Sequence, residues 1–528
     1  MNRYEVFLRD AARRRPAHEA IVHADGRTSY AELDALVDRC AVGLIQRAGL
    51  RNGERCVLFL DNRLETAVGI FATLRAGGVF SVINPTTKTD KLAYVLNNCE
   101  ASVLVTQASL LAAALAAVEQ SPSVRHVVVV GSPGTHVHAG NASVCTWSDF
   151  IASESPASSP APVGIDIDLA MLVYTSGSTG HPKGVMMTHK NIAHAAASIT
   201  TYLESHEDDV VLSVLPLAFD YGLYQLLMCV KVGATLVLEK SFAFPQKILP
   251  LLASERVTGF PLVPTMAALI VQLRNFNPDW AASVRYLTNT AAALPPAHIL
   301  RLQEMFPAAR VYSMYGMTES KRCTWLPPDQ LAKRPDSVGI AIPGTEVWVA
   351  DDDGKPVAAN VIGELVVRGG HVMQGYWRNE EATARTLRPG RYPWEKVLHT
   401  GDLFRMDEEG YLYFVGRKDD IIKSRGEKVS PKEIENVLYA LPGIKEAAIV
   451  GVPDDVLGSA LKAIIVIAED VQIEVRDIIA HCRAHLEDFM IPREVEFRSA
   501  LPKTGTGKIR RAALQAEAEG RELPADDS

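Results

Sequence analysis

The run Tyr174-Thr175-Ser176-Gly177-Ser178-Thr179-Gly180-His181-Pro182-Lys183-Gly184 constrains this chain more than any other segment. It follows the apolar Leu169-Ala170-Met171-Leu172-Val173, which reads as a buried strand. A strand that empties into hydroxyls, glycines and a lysine can wrap a polyphosphate. Glycine permits positive φ and close backbone approach, so successive N–H groups can converge on phosphate oxygens. Thr175, Ser176, Ser178 and Thr179 add hydroxyl donors, Gly177 and Gly180 give backbone freedom, and Lys183 supplies a cation. The common nucleotide loop places a glycine immediately before its lysine, whereas Pro182 stands there in this chain. Such composition also suits a flexible linker. A linker, however, has no use for a terminal Pro-Lys-Gly or for flanking apolar strands.

A chain of 528 residues is too long for one core and predicts several domains. Apolar residues make up 48% and charged residues 22%, which is globular rather than disordered composition. The formal net charge of −8 argues against a general nucleic-acid binder. Cysteines 40, 56, 99, 145, 229, 323 and 482 show no C-x-x-C spacing, so neither a disulfide framework nor a zinc site is expected. The first ten residues lack the apolar core of a secretory signal. No stretch approaches the ~20 apolar residues of a membrane span. A soluble, cytoplasmic protein with no nucleic-acid or membrane partner is the expectation.

Tyr30 to Ala48 reads as an amphipathic helix, Arg55 to Leu60 as a strand, then a helix through Leu74 and a strand from Val79 to Pro85. Strand–helix alternation predicts parallel-type sheets flanked by helices. A second set of such units runs from about Val185 to Tyr312. From Gly339 to Arg368, short alternating segments broken by Asp351-Asp352-Asp353-Gly354 predict a small β region. The fold class is thus α/β, with a large N-terminal domain over residues 1–418. A small, mobile α+β C-terminal domain is expected over residues 419–528, of a size that folds alone.

The phosphate loop resembles the signature of the adenylate-forming superfamily, and five further segments match in order. They are Thr28-Ser29-Tyr30-Ala31-Glu32-Leu33, Tyr315-Gly316-Met317-Thr318-Glu319, His399-Thr400-Gly401-Asp402, Gly416-Arg417-Lys418-Asp419-Asp420-Ile421-Ile422-Lys423 and Leu501-Pro502-Lys503-Thr504-Gly505-Thr506-Gly507-Lys508. The resemblance implies ATP and Mg²⁺ as cofactors. Asp402 is acceptor-only and can take both ribose hydroxyls, with Arg417 donating beside it. Tyr315 offers a face to adenine. Glu319 is a hard oxygen ligand for Mg²⁺, and Thr318 lies beside it at the α-phosphate. Lys508 would stabilise charge on the in-line oxygens as a carboxylate attacks. Asp419 holds the position of the superfamily's hinge.

Phe219-Asp220-Tyr221-Gly222-Leu223-Tyr224 bears on the acid. In acyl-CoA ligases this segment usually carries an aromatic gate, where Phe219 stands here. In amino-acid adenylation domains it reads Phe-Asp, and the aspartate holds the substrate ammonium. A buried carboxylate is costly unless a cation meets it, so Asp220 implies an amine. Its bland alternative is a cap on a helix starting at Tyr221. Together with Glu319-Ser320-Lys321-Arg322, the segment resembles stand-alone β-amino-acid adenylation enzymes of macrolactam polyketide pathways, which load a separate carrier protein. By that resemblance Lys321 and Arg322 bear on substrate orientation or on a second acid group, and Thr290 and Tyr224 line the pocket. The expected reaction forms aminoacyl-AMP and pyrophosphate, then transfers the aminoacyl group to a carrier-protein thiol or to coenzyme A. An acyl-CoA or aryl-CoA synthetase acting on a plain carboxylic acid is the alternative, and a nucleotide-binding regulator without turnover a more distant one.

Overall fold

Ser29 starts the first long helix, Tyr30–Gln46, for a local reason. Its hydroxyl accepts the Glu32 N–H at 3.3 Å, while the Glu32 carboxylate accepts the Ser29 N–H at 2.8 Å. This reciprocal box satisfies two donors that a helix start otherwise leaves open. The helix buries Leu33, Val37, Cys40, Ala41 and Leu44. Gly43 lets it approach a neighbour, since a Cβ there would lie 2.8 Å from the Phe150 carbonyl oxygen.

The computed structural model describes residues 3–132, 140–152, 163–175, 182–290, 294–420, 422–424, 427–454, 458–468, 471–486, 490–503 and 509–520. By internal contacts the chain forms two units. One joins Met1–Val347 with Val367–His399, and the other joins Trp348–Val366 with Thr400–Asp526. Asp419, the boundary expected from sequence, lies inside the second unit.

The first unit contains two sheets. In one, Arg55–Phe59 runs parallel between Val79–Ile83 and Ala101–Gln107, and His126–Val130 continues the order. These strands are covered on both faces, which explains their unbroken apolar runs. Val57, Phe59, Leu104 and Val127 pack there against Leu92 and Leu96 of the helix Thr89–Asn98. Leu169–Thr175 joins this sheet beside Val79–Ile83 and turns back antiparallel as Lys183–Thr188. In the other sheet, Thr235–Leu238, Val210–Ser213, Gly259–Leu262, Tyr286–Asn289 and Arg310–Tyr315 are parallel neighbours in that order. Ligands of open α/β sheets collect at the carboxyl ends of such strands, where Thr290 and Tyr315 stand.

The second unit has a three-stranded sheet. Ile444–Asp454 pairs antiparallel with Gly458–Ile467, which runs parallel to Glu494–Phe497. Helices Pro431–Ala440 and Val475–His485 bury Ile434, Leu438, Ile478 and Cys482 against Ile449, Leu461 and Ile465. The α/β class with a smaller α+β unit is therefore the one expected from sequence. Among the described residues no helix is long and apolar enough to cross a membrane.

Ser29→Ala deletes the cap of Tyr30–Gln46 and is expected to cost about 1 kcal/mol. Thermal unfolding checks it: a lowered midpoint is expected, and a midpoint equal to wild type would remove the capping role.

Candidate active site

The two strands that flank the glycine-rich loop are in register, with Thr175 opposite Lys183 and Tyr174 opposite Gly184. Ser176, Gly177, Ser178, Thr179 and Gly180 lie outside the described residues. Lys183 projects its Nζ to 5.3 Å from the ring centre of Tyr376, within cation–π range. Tyr376 belongs to the short strand Gly375–Tyr376, which pairs with Val185 and Met186. Its hydroxyl donates to Glu319 Oε1 at 2.7 Å. From the same segment, the Met373 N–H donates to the Glu319 carbonyl at 2.8 Å. One tyrosine thus touches both the lysine of the phosphate loop and the carboxylate of a distant motif.

Glu319 owes its position to a tight turn after the strand Arg310–Tyr315. A Cβ on Gly316 would sit 1.8 Å from the Lys321 carbonyl oxygen, so only glycine fits there. The Ser320 and Lys321 N–H groups both donate to the Met317 carbonyl, at 3.0 and 2.6 Å. Lys321 takes φ +64°, an uncommon conformation for a side-chain-bearing residue. The turn buries Glu319, Lys321 and Arg322, with Thr318 and Tyr315 half-buried. Glu319 lies in a turn rather than at a helix start, so a helix dipole does not account for it.

Asp220 opens the helix Asp220–Val232, in which Phe219 occupies the cap position without a side-chain bond. Asp220 is therefore not spent as a cap. Gly222 allows the helix to sit on Leu215 and Pro216, because a Cβ would fall 2.4 Å from the Pro216 carbonyl. Arg322 Nη1 lies 3.8 Å from Asp220 Oδ2, an ion-pair distance too long for a hydrogen bond. The Arg322 guanidinium stacks 4.6 Å from the Tyr221 ring centre, and the Tyr221 hydroxyl donates to the Thr288 carbonyl at 2.8 Å. Lys321 Nζ stands 5.8 Å from the ring centre of Tyr224. Burial pulls the Lys321 ammonium down to about 8; Asp220 and Glu319 oppose that shift and Arg322 adds to it. Burial also holds the Tyr224 hydroxyl neutral, with Asp220 reinforcing it. Asp220, Tyr224, Lys321 and Arg322 thus form one cluster. Thr290 is buried directly after the strand Tyr286–Asn289 and Phe219 is half-buried, but no described bond ties either to the cluster.

The cluster alters one step of the sequence argument. An aspartate without a cation implies an amine, but here the chain supplies Arg322 beside Asp220.

In the second unit, Asp402 and Arg417 face each other as partners of the antiparallel pair Lys396–Met406 and Leu412–Arg417. Arg417 Nε approaches Asp402 Oδ1 to 3.6 Å. The Asp402 N–H donates to Thr400 Oγ1 at 3.1 Å, and the Gly401 N–H to Glu364 Oε1 at 2.9 Å. Asp419 sits in the single turn Lys418–Asp420. Lys508 falls outside the described residues; Lys503 and Ile509, on either side of its loop, pair as an antiparallel bridge.

Residues 8–377 match the family described as AMP-binding enzyme, and residues 433–508 the AMP-binding enzyme C-terminal domain. The chain belongs to the AMP-binding enzyme family. It is 34% identical over 503 residues to a feruloyl-CoA synthase of an Amycolatopsis species, covering 94% of this chain and 95% of that one. ATP-bound MatB from Rhodopseudomonas palustris superposes with TM-score 0.87 at 29% identity, over 98% of each chain. The anthranilate CoA ligase AuaEII in complex with anthranoyl-AMP gives TM-score 0.85 at 26% identity, over 98% of this chain and 97% of that one. The protein is accordingly an enzyme of the AMP-forming acid–thiol ligase type.

Sequence reasoning missed Tyr376 in this family site. Its one local signal is Gly375, whose φ of +136° and 2.7 Å Cβ distance to Thr383 Cγ2 mark a close approach. Tyr376→Phe removes a hydrogen bond to a carboxylate, worth about 1.5–3 kcal/mol. ATP–pyrophosphate exchange is expected to fall by ~10- to 100-fold, and an unchanged rate would separate Tyr376 from the chemistry.

Proposed function

We propose that this enzyme activates an amino acid, preferentially a β-amino acid, as its aminoacyl adenylate and passes it to the phosphopantetheine thiol of a separate carrier protein. The observation behind this reading is Asp220. Its carboxylate sits on the wall of a buried polar cluster, does not cap its helix, and makes no hydrogen bond among the described residues. It therefore retains acceptor capacity that a substrate ammonium can fill. The family likeness adds weight: anthranilate, the substrate named for AuaEII, carries an amine beside its carboxyl-bearing carbon.

In this reading Thr175, Ser176, Gly177, Ser178, Thr179, Gly180 and Lys183 hold the phosphates of ATP, and Tyr315 packs on adenine. Asp402 and Arg417 take the ribose. Glu319 suits Mg²⁺ as a lone buried carboxylate. That donor set fits an ion which keeps waters and takes phosphate oxygens, rather than one caged by protein. Thr318 meets the α-phosphate, Lys508 stabilises the charge that builds as the acid attacks, and Asp419 is the hinge between residues 1–418 and 419–528.

A second reading is an acyl-CoA or aryl-CoA synthetase acting on a plain acid with coenzyme A. Arg322 beside Asp220 favours it, as does the likeness to a feruloyl-CoA synthase. ATP–pyrophosphate exchange on matched β-amino, α-amino and desamino acids decides between them. Exchange confined to amino acids supports the first reading, and exchange confined to desamino acids the second. Asp220→Asn is expected to weaken amino substrates at least ~10-fold while sparing desamino ones; equal losses would make Asp220 structural. Lys508→Ala is expected to lower adenylate formation by ~100- to 1000-fold with ATP affinity retained by calorimetry. Undiminished adenylation would remove its catalytic role.

A further inference from the structure

Of the seven cysteines, six are buried and Cys145 alone is partly exposed. It lies on the strand Ser143–Thr146, which among the described residues forms the edge of its sheet, beside His126–Val130. The two strands are parallel, with His126 opposite Ser143 and Val128 opposite Cys145. Alternate residues of a strand share a face, so Ser143 and Cys145 flank the imidazole on one side of the sheet. His126 Nε2 lies 3.3 Å from Cys145 Sγ, and its Nδ1 is within hydrogen-bond reach of Ser143 Oγ. Ser143 Oγ in turn lies 3.3 Å from the Arg125 carbonyl oxygen. The Phe150 ring packs against the imidazole with centres 5.7 Å apart. A thiol, an imidazole and a hydroxyl thus stand in line, outside the site already described.

The contacts fix where the protons lie. A carbonyl oxygen only accepts, so the Ser143 hydroxyl donates to Arg125 and accepts from His126 Nδ1–H. A neutral imidazole carries one N–H, which leaves the Nε2 lone pair facing Sγ–H. Burial holds His126 below the usual histidine range, so the ring stays neutral and able to take a proton. Burial also pushes the Cys145 thiol up to about 11; Asp149 adds to that rise and Arg47 opposes it. A thiol held neutral in this way attacks only when a base removes its proton. We propose that Cys145 is a nucleophile toward small-molecule disulfides, with His126 as its base and Ser143 as the residue that positions the imidazole.

The step is a thiol–disulfide exchange. Cys145 Sγ attacks one sulfur of the disulfide, a new S–S bond forms to the protein, and the old S–S bond breaks. The Sγ proton passes to His126 Nε2 and from the imidazolium to the departing thiolate, which leaves as a free thiol. One disulfide is consumed and one is made, so no further oxidant is needed. The site does not depend on which acid the enzyme activates or on which thiol accepts it. Its high resting pKa also gives a reason for the relay: the thiol is shielded from adventitious attack, and its reactivity is conferred by two neighbours rather than by exposure alone.

The test uses the folded full-length protein and two probes, dithiobisnitrobenzoate for rates and glutathione disulfide for mass. One thiol is expected to react natively, and peptide mapping should place the added mass on Cys145. His126→Gln is expected to slow the reaction by ~100-fold at about pH 7. Ser143→Ala, which frees the imidazole to take the other tautomer, should slow it in the same sense, and Ser143→Thr should restore it. The pH profile separates a relay from a merely buried thiol. His126, Asp149 and Arg47 are the titratable groups that act on Sγ. With the base present, the rate should stay nearly level above neutral pH; without it, only thiolate attacks, so the His126→Gln rate should climb ~10-fold per pH unit. In denaturant the variants should react as wild type does, and a difference persisting there would overturn the relay. So would a native protein in which no thiol reacts, or one modified at another cysteine. Wild-type rates and pH slope in both His126→Gln and Ser143→Ala would reduce Cys145 to a packed side chain and sink the proposal. Should His126→Gln fail to fold, the Ser143 pair decides alone: equal rates in alanine and threonine variants would overturn it.

Discussion

The contact between the Lys321 carbonyl and Gly316 organises this site. Because a Cβ at 316 would overlap that oxygen, the chain can close a turn so tight that consecutive residues point in different directions. Glu319 goes to Tyr376, whose ring also meets Lys183, whereas Lys321 and Arg322 go to Tyr224, Tyr221 and Asp220. Side chains that meet two separate sets of neighbours are thereby set by one backbone feature. The positive φ at Lys321 is strain held by its surroundings, and such strain concentrates where function requires it.

The electrostatics of the Asp220, Lys321 and Arg322 cluster run against stability. Removing Lys321 and Arg322 from water is costly, and the chain returns one ion pair at 3.8 Å, one hydrogen bond from Arg322 Nη1 to the Lys321 carbonyl at 3.1 Å and two aromatic faces. A sequence selected for stability alone would place methionine or leucine there. Tyr376 shows the opposite design: its hydroxyl and its ring are both engaged by groups of the chain itself, so the Glu319 end is preorganised.

How much of this was legible in the sequence depends on range. Local signals were readable: Ser29 and Glu32 stand at capping-box spacing, and the matched motif they belong to starts a helix. The buried parallel strands announced themselves as apolar runs. Tertiary facts were not readable. Nothing local says that Tyr376 reaches Glu319, or that Arg322 lies against the helix opened by Asp220. The inference drawn from Asp220 assumed that no residue of the chain would meet it, whereas Arg322 does. Its partner was already in view, in a motif considered separately.

Asp402 and Arg417 show how a motif residue acquires meaning through register. They are Cα partners across an antiparallel pair, so their side chains share a face of the sheet. A slip of one residue would move Arg417 to the opposite face and leave Asp402 without its guanidinium. The register shift between Leu403 and Phe404 lies immediately beside this pair. Bulges twist a strand and re-aim the side chains next to them, and here the irregularity adjoins Asp402 and Arg417. Phe404 and Phe414, packed edge to face at 5.4 Å, hold the register on its far side. The polar pair is thus kept in line by an aromatic pair farther along the same two strands.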